Sequence, residues 1–180
     1  MTMQPIYDWI DAHVDECVQD LQRLVQQPSV SAQGIGLREC ASLVRDMMHK
    51  DGLPADFHEL AEGPPVVFGH LRARKPAKTI LCYSHYDVQP PEPLEEWSYG
   101  GPWSGDIVEG VLYGRGSTDN KSGVLAFNKA AKAFLQVRGE VPVSLKFLIE
   151  GEEEIGSPNL AAWAAQNLSL IHISEPTRPY

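Results

Sequence analysis

Two periods of apolar residues alternate along the chain, and the switches between them mark out its elements. Ile6, Ile10, Val14, Val18, Leu21 and Val25 recur at helical steps between Pro5 and Gln27, with Asp8, Asp11, Asp15 and Glu16 on the other faces. That spacing predicts one amphipathic helix. Pro28-Ser29-Val30-Ser31 ends it, and Leu37, Cys40, Val44 and Met47 or Met48 give the buried face of a second helix from about Leu37 to Lys50. Phe57 to Leu60 and Val66 to Leu71 read as paired strands around the joint Glu62-Gly63-Pro64-Pro65. Thr79 to Tyr83 is a short, nearly continuous apolar run, the pattern of a strand buried on both faces. Ile107 to Tyr113 resumes strand character around a Glu109-Gly110 turn. Lys121 to Val137 returns to a helical period through Val124, Phe127, Ala131, Phe134 and Leu135, and Gly139 stops it. Val141 to Ile149 is another buried strand, and Ser157 to Gln166 reads as a helix with Ser157 as N-cap and Pro158 in its first turn. Strands alternating with helices predict an α/β fold, with a mainly parallel sheet covered by helices on both faces.

Composition narrows the function classes. At 180 residues, with 43% hydrophobic and 22% charged residues, the chain is long and apolar enough for a globular core. Its net charge of -9 argues against a nucleic-acid partner, because phosphate binding relies on clustered Lys and Arg. No apolar run is long enough to span a membrane, and Met-Thr-Met-Gln-Pro has no signal-peptide character, so no membrane association and a cytoplasmic location are expected. Cys17, Cys40 and Cys82 are odd in number and widely spaced, which suits free thiols.

The polar residues at the ends of the predicted strands carry the candidate chemistry. His85 and Asp87 follow one strand, Asp119 sits in the turn Tyr-Gly-Arg-Gly-Ser-Thr-Asp-Asn-Lys-Ser-Gly from Tyr113 to Gly123, and Glu153 and Glu154 follow another strand. In open α/β sheets ligands gather at the carboxyl ends of strands. One imidazole and several carboxylates, without thiolates, suit zinc or a similar divalent ion, and a carboxylate can bridge two ions. In an extended segment residues i and i+2 share a face, so Asp87 can accept the far ring N–H of His85. Adjacent Glu153 and Glu154 point apart, so one can bind metal while the other faces a water. Each residue alone has a plainer reading: Glu152 to Glu154 as an exposed acidic turn, and Asp119 as an Asx-turn or helix cap. His13, His49, His58 and His70 are read as structural. The segment from Gly114 to Ser122 is not a phosphate-binding loop, since Gly does not precede Lys121. The Pro- and Trp-rich coil from Val88 to Ser104 is long for an idle connection and is read as functional.

Ser-His-Tyr-Asp-Val-Gln-Pro, Leu-Tyr-Gly-Arg-Gly-Ser-Thr-Asp-Asn-Lys-Ser-Gly and Ile-Glu-Gly-Glu-Glu-Glu-Ile-Gly-Ser, in this order, resemble the carnosinase-like branch of the di-zinc exopeptidases, peptidase family M-twenty. That family also contains carboxypeptidase G, acetylornithine deacetylase and succinyl-diaminopimelate desuccinylase. The resemblance covers roughly Ile6 to Asn167. It implies a metallopeptidase acting on dipeptides or small peptides, with two Zn2+ ions, or Mn2+ or Co2+ in their place. His85 would bind one ion, Asp119 would bridge both and Glu154 would bind the other. Glu153 would be the general base and Asp87 the partner of His85, and the Asp119 to Asn120 peptide bond would be cis. A homodimeric parent protein is likewise implied.

Members of the family carry two further ligands, an Asp beyond the next strand and a distal His, with a lid and dimerisation domain between them. Neither ligand is identifiable here, and His172 has the wrong context for the distal His. Residues 1–167 are therefore expected to be the N-terminal part of a catalytic domain. Residues 168–180 lack family likeness and resemble translated sequencing adapter. The polypeptide as written is expected to be inactive and poorly stable. The competing readings are a deacylase of N-acyl amino acids and a metal-free binding module.

Overall fold

The computed structural model describes residues 2–75 and 78–171. Its elements are α1 (Gln4–Ala12), α2 (Val14–Gln26), α3 (Leu37–Lys50), β1 (Asp56–His58), β2 (Val66–Leu71), β3 (Thr79–His85), β4 (Ile107–Val108), β5 (Val111–Leu112), α4 (Lys121–Arg138), β6 (Ser144–Glu150), α5 (Leu160–Gln166) and α6 (Leu168–Ile171). The α/β class holds. The expected tail at 168–180 and His172 lie, from residue 172 onward, outside the described residues.

The main sheet has the order β1-β2-β6-β3. It is mixed: β3 and β6 are parallel, whereas β2 pairs antiparallel with both β1 and β6. The connections explain why. A parallel neighbour needs a crossover, and among these strands only β3 to β6 has a helix, α4, between them. The links 59–65 and 72–78 are too short for one and simply reverse the chain. Glu109 and Gly110, with φ of 53° and 80°, form the tight turn of the separate β4-β5 hairpin.

Alternate residues of the strands serve two cores. On one face Val67, Cys82, Phe147 and Ile149 meet Leu24, Cys40, Val44, Met48 and Val124 from α2, α3 and α4. On the other, Val66, Phe68 and Leu148 pack on Trp163 of α5. Helices thus cover both faces, but β3 lies at the sheet edge among the described residues, with Ile80 49% and Tyr83 42% exposed. Its apolar run is not buried on both faces as its composition suggested.

Two boundaries differ from the sequence pattern. The long first helix breaks at His13 (φ -121°, ψ 16°), whose ring stacks on Trp9 and places Nδ1 2.7 Å from the Trp9 carbonyl. The break shifts the helical phase, and Val14 becomes exposed. Ser157 does not cap α5. It sits at φ 50° and donates its hydroxyl to Glu150 Oε1 at 2.8 Å, so α5 begins at Leu160. Cys40 and Cys82 are buried, Cys17 is half-buried, and all three are free.

Between α2, α3 and α4 lies a network of charges. Lys129 Nζ reaches Asp20 Oδ2 at 2.6 Å and Asp51 Oδ2 at 2.7 Å, with Lys129, Asp20 and Asp51 all buried. Lys132 joins Glu16 (2.7 Å) to Asp51 (2.9 Å), and Lys50 joins Glu16 (3.4 Å) to Asp20 (3.3 Å). The carboxylates of Glu16, Asp20 and Asp51 lie close enough together to hold a cation, but the three ammonium groups already neutralise them. Removing one partner of a buried pair leaves the others desolvated and unpaired. Lys129→Met is therefore expected to destabilise the fold by about 3 kcal/mol, read by chemical denaturation. The hydrogen bond from Lys132 holds the Glu16 carboxyl down at about 2, from an ordinary 4.5, against the opposing effect of burial. A carboxylate whose pKa is depressed by folding stabilises above its unfolded value and loses that contribution as pH falls. Stability should thus decline from about pH 4.5 to about pH 2, and Lys132→Met should flatten this part of the profile in thermal melts at stepped pH.

Candidate metal centre

Because β3 and β6 are parallel, their carboxyl ends lie on one edge of the sheet, and their last residues, His85 and Glu150, are register partners. Past Glu150 the chain folds into a compact turn, with Glu153–Ile155 as a single 3-10 turn. Gly151 begins it, and a side chain there would collide with the ring of Tyr86, which is fully buried and donates its hydroxyl to Pro65 O at 2.7 Å. Two carboxylates next to the working pair serve as anchors. Glu152 accepts both contacts from Asn159 Nδ2, at 3.0 and 3.1 Å, and Glu150 Oε1 accepts from Tyr83 Oη at 2.6 Å and from Ser157. Burial pushes the Glu150 carboxyl up.

Asp87 joins the two strand ends. It is fully buried, its Oδ1 lies 3.3 Å from His85 Nδ1, and the same ring nitrogen lies 3.1 Å from the Asp87 carbonyl. Asp87 Oδ1 also accepts the Glu153 N–H at 3.2 Å, and Oδ2 accepts the Glu154 N–H at 3.0 Å. Burial opposes its ionisation, yet the His85 and backbone hydrogen bonds win and hold its pKa below the usual carboxylate range. For His85 burial pulls the other way from its partner, and the Asp87 carboxylate prevails, pushing the ring up to about 9. The spacing of His85 and Asp87 was legible as a pair. The grip of Asp87 on the glutamate turn was not.

Asp119 approaches from the turn before α4, with a cis peptide bond to Asn120. Its Oδ1 lies 3.2 Å from His85 Nε2. Donor atoms of His85, Asp119 and Glu154 all fall within 4.8 Å of one another. Glu153 Oε2 stands beside them, 3.8 Å from His85 Nε2, on a side chain 44% exposed. All five candidate residues thus meet at one place. One imidazole with carboxylate oxygens and no thiolate, at this separation, fits zinc or a similar divalent ion.

Two residues of this neighbourhood were missed from sequence. Gln89 donates through Nε2 to Glu154 Oε2 at 2.7 Å and to the Glu154 carbonyl at 3.1 Å. Lys121 is fully buried, and its Nζ donates to the carbonyls of Leu24 at 2.9 Å and Gln27 at 2.6 Å, at the C-terminal end of α2. A lysine suits a helix C-terminus, where unpaired carbonyls and the dipole favour a cation. Burial lowers its pKa. Only the alternation of His85, Asp87 and Gln89 along an extended segment hinted at the first, and nothing local pointed to the second.

A mixed α/β sheet that gathers an imidazole and carboxylates at its strand ends has the arrangement of a metal-binding α/β domain. The chain belongs to peptidase family M20/M25/M40, whose family profile matches residues 81–180. It is 34% identical over 172 residues to the Beta-Ala-His dipeptidase of Rattus norvegicus, covering 87% of this chain and 35% of that protein. It is 33% identical over 168 residues to a succinyl-diaminopimelate desuccinylase of Methylorubrum extorquens, covering 88% of this chain and 43% of that protein. The crystal structure of human carnosine dipeptidase 1 superposes with a TM-score of 0.85 at 32% identity, covering 92% of this chain and 38% of that one. The chain thus spans about a third of the length of the curated dipeptidases it matches. Among the described residues no helix is long and apolar enough to cross a membrane.

Asp87→Asn provides a test of the junction. An amide offers one acceptor oxygen where the carboxylate offers two, so one of the two N–H groups of the turn loses its partner. The variant is expected to lose about 1–3 kcal/mol of stability, measured by denaturant unfolding.

Proposed function

We propose that the protein carrying this chain hydrolyses the peptide bond of dipeptides and other small peptides, using water activated by divalent ions, Zn2+ first and Mn2+ or Co2+ as substitutes. The observation that carries this reading is the convergence of His85, Asp119 and Glu154 donor atoms within 4.8 Å, with Glu153 alongside. His85 would hold one ion and Glu154 the other, with Asp119 the carboxylate available to both. When bound, such ions polarise the scissile carbonyl and make water acidic enough to lose a proton near neutral pH. Glu153 is the general base: unencumbered and exposed to solvent, it takes the proton of the attacking water and passes it to the leaving amine. Asp87 is a positioning residue, orienting the His85 ring through Nδ1 and leaving Nε2 as the nitrogen that would meet an ion. The dipeptidase names of the rat and human relatives support the substrate class.

A second reading, hydrolysis of the amide of an N-acyl amino acid, is favoured by the similarity to the desuccinylase. A non-catalytic binding module fits less well, because it has no need of all five residues. Cytoplasmic location and homodimeric assembly belong to the same proposal. Among the described residues His85, Asp119 and Glu154 would give each ion two protein ligands, one of them shared, whereas a catalytic zinc normally has three. The 180 residues alone are therefore proposed to lack turnover.

The deciding experiment sets a panel of dipeptides against N-succinyl and other N-acyl amino acids, using the full-length protein with and without chelator. Cleavage of dipeptides, its loss on chelation and its recovery with Zn2+ or Mn2+ are expected. Glu153→Gln should lower kcat by about 100-fold or more with KM nearly unchanged. Unchanged hydrolysis in that variant would overturn the base assignment, and acyl amino acids as the only substrates would establish the second reading.

A further inference from the structure

Glu153 and Glu154 are adjacent and chemically identical, yet the reading above gives them different tasks. Nothing in their own sequence explains which does which. The explanation lies 65 residues away, on the extended segment that follows β3. His85, Asp87 and Gln89 occupy every second position there and share one face. Asp87 takes the two backbone N–H groups of the glutamate turn. Gln89 takes one of the two side chains: its amide nitrogen donates to Glu154 Oε2 at 2.7 Å and to the carbonyl of the same residue at 3.1 Å. Among the described residues Glu153 receives no such donor, and its Oε2 lies 3.8 Å from His85 Nε2, beyond hydrogen-bond reach.

We propose that Gln89 is the positioning residue that makes Glu154, and not Glu153, the metal ligand. This rests on the metal-hydrolase reading of the site. One amide group clamps Glu154 at two points, its own carbonyl and one carboxylate oxygen. The side chain that would meet the ion is thereby held from the backbone carbonyl and from Oε2 at once, which restricts its rotamers. Glu153, unclamped, keeps both oxygens and its rotational freedom, which proton transfer between a water and a leaving amine requires. Gln89 touches neither substrate nor reacting atoms in this arrangement. It acts only through the carboxylate it holds, as partners of metal ligands commonly do.

The test is a double-mutant cycle read by metal binding, independent of turnover. Co2+ affinity of the full-length protein is measured by chelator competition, and ligand geometry by the visible absorption of the bound Co2+. Gln89→Leu is expected to weaken Co2+ binding about tenfold and to alter the Co2+ spectrum. Because Gln89 is exposed, circular dichroism and melting temperature should stay as in the parent. Gln89→Lys, which restores a donor of similar reach, should recover most of the affinity. Combined with Glu154→Gln, Gln89→Leu should weaken binding no further than Glu154→Gln does alone, whereas combined with Glu153→Gln the two effects should add. Wild-type affinity and spectrum in Gln89→Leu would overturn this inference alone. Additivity with Glu154→Gln would do the same, by showing that Gln89 acts elsewhere. If Co2+ binding were absent, or indifferent to His85→Ala, the reading of the whole site would fall and this inference with it.

Discussion

One buried carboxylate, Asp87, holds together two parts of the chain that are far apart in sequence. Its charge has no access to water, so both carboxylate oxygens must find donors within the protein. The His85 ring and the N–H groups of Glu153 and Glu154 meet that demand. The same bonds that neutralise Asp87 therefore fix the relative position of the end of β3 and the turn after β6. Hydrogen bonds to a charged acceptor are roughly twice as strong as neutral ones, which suits a junction where a small displacement would separate donor atoms now within 4.8 Å. The parallel register of β3 and β6 brings the two strand ends level, and Asp87 then locks them.

The third arm of the site, Asp119, depends on where α4 begins, and that is set by buried cations. Lys121 starts the helix and inserts its ammonium among the carbonyls that end α2. Further along α4, Lys129 and Lys132 enter the carboxylates of α2 and of the α3 C-terminus. Burying Lys121 and Lys129, and half-burying Lys132, costs far more than packing apolar side chains in their place, unless each finds its partners. What they add is direction: apolar contacts between helices tolerate sliding, whereas ammonium groups with fixed acceptors do not. A register shift of α4 against α2 would unpair all of them at once. The turn carrying Asp119, immediately before Lys121, is thereby held towards His85.

What the sequence made legible follows from the range of the interaction concerned. The bounds of α3 and β2 were readable because local periodicity and flanking Gly and Pro residues determine them. The His85-Asp87 pair was readable because residues i and i+2 of an extended segment share a face. The meeting of His85 with the glutamates was readable because parallel strands deliver their ends to one edge. Asp119 does not end a strand of that sheet: it follows the separate β4-β5 hairpin and arrives through the turn before α4. Sheet order was not, since the placement of β6 between β2 and β3 rests on pairings across some 70 residues. Ser157 was misread for the same reason: as a local signal it is a helix cap, but a buried Glu150 competes for its hydroxyl and wins. His13 breaks a helix that periodicity alone would continue, through its ring's contact with the carbonyl and ring of Trp9.

The acidic run at the end of β6 shows how far identical residues can diverge once folded. Glu150 and Glu152 are both buried, and each is consumed by fixed donors: Tyr83 and Ser157 for the first, Asn159 for the second. Those bonds clamp the flanks of the turn, as Asp87 clamps its backbone. Past them, Glu154 is held only by the exposed Gln89 amide, and Glu153 has no fixed donor among the described residues, so the carboxylates available for chemistry lie there. Read as composition, the run is a cluster of like charges that should repel and stay in water. Read in the fold, Glu150 and Glu152 give up their solvation to tie the turn to Ser157 and Asn159, which holds Glu153 and Glu154 near His85 and Asp119. The density of acid at this turn is therefore not redundancy, since Glu150, Glu152 and Glu154 each meet different donors and Glu153 is left open to solvent.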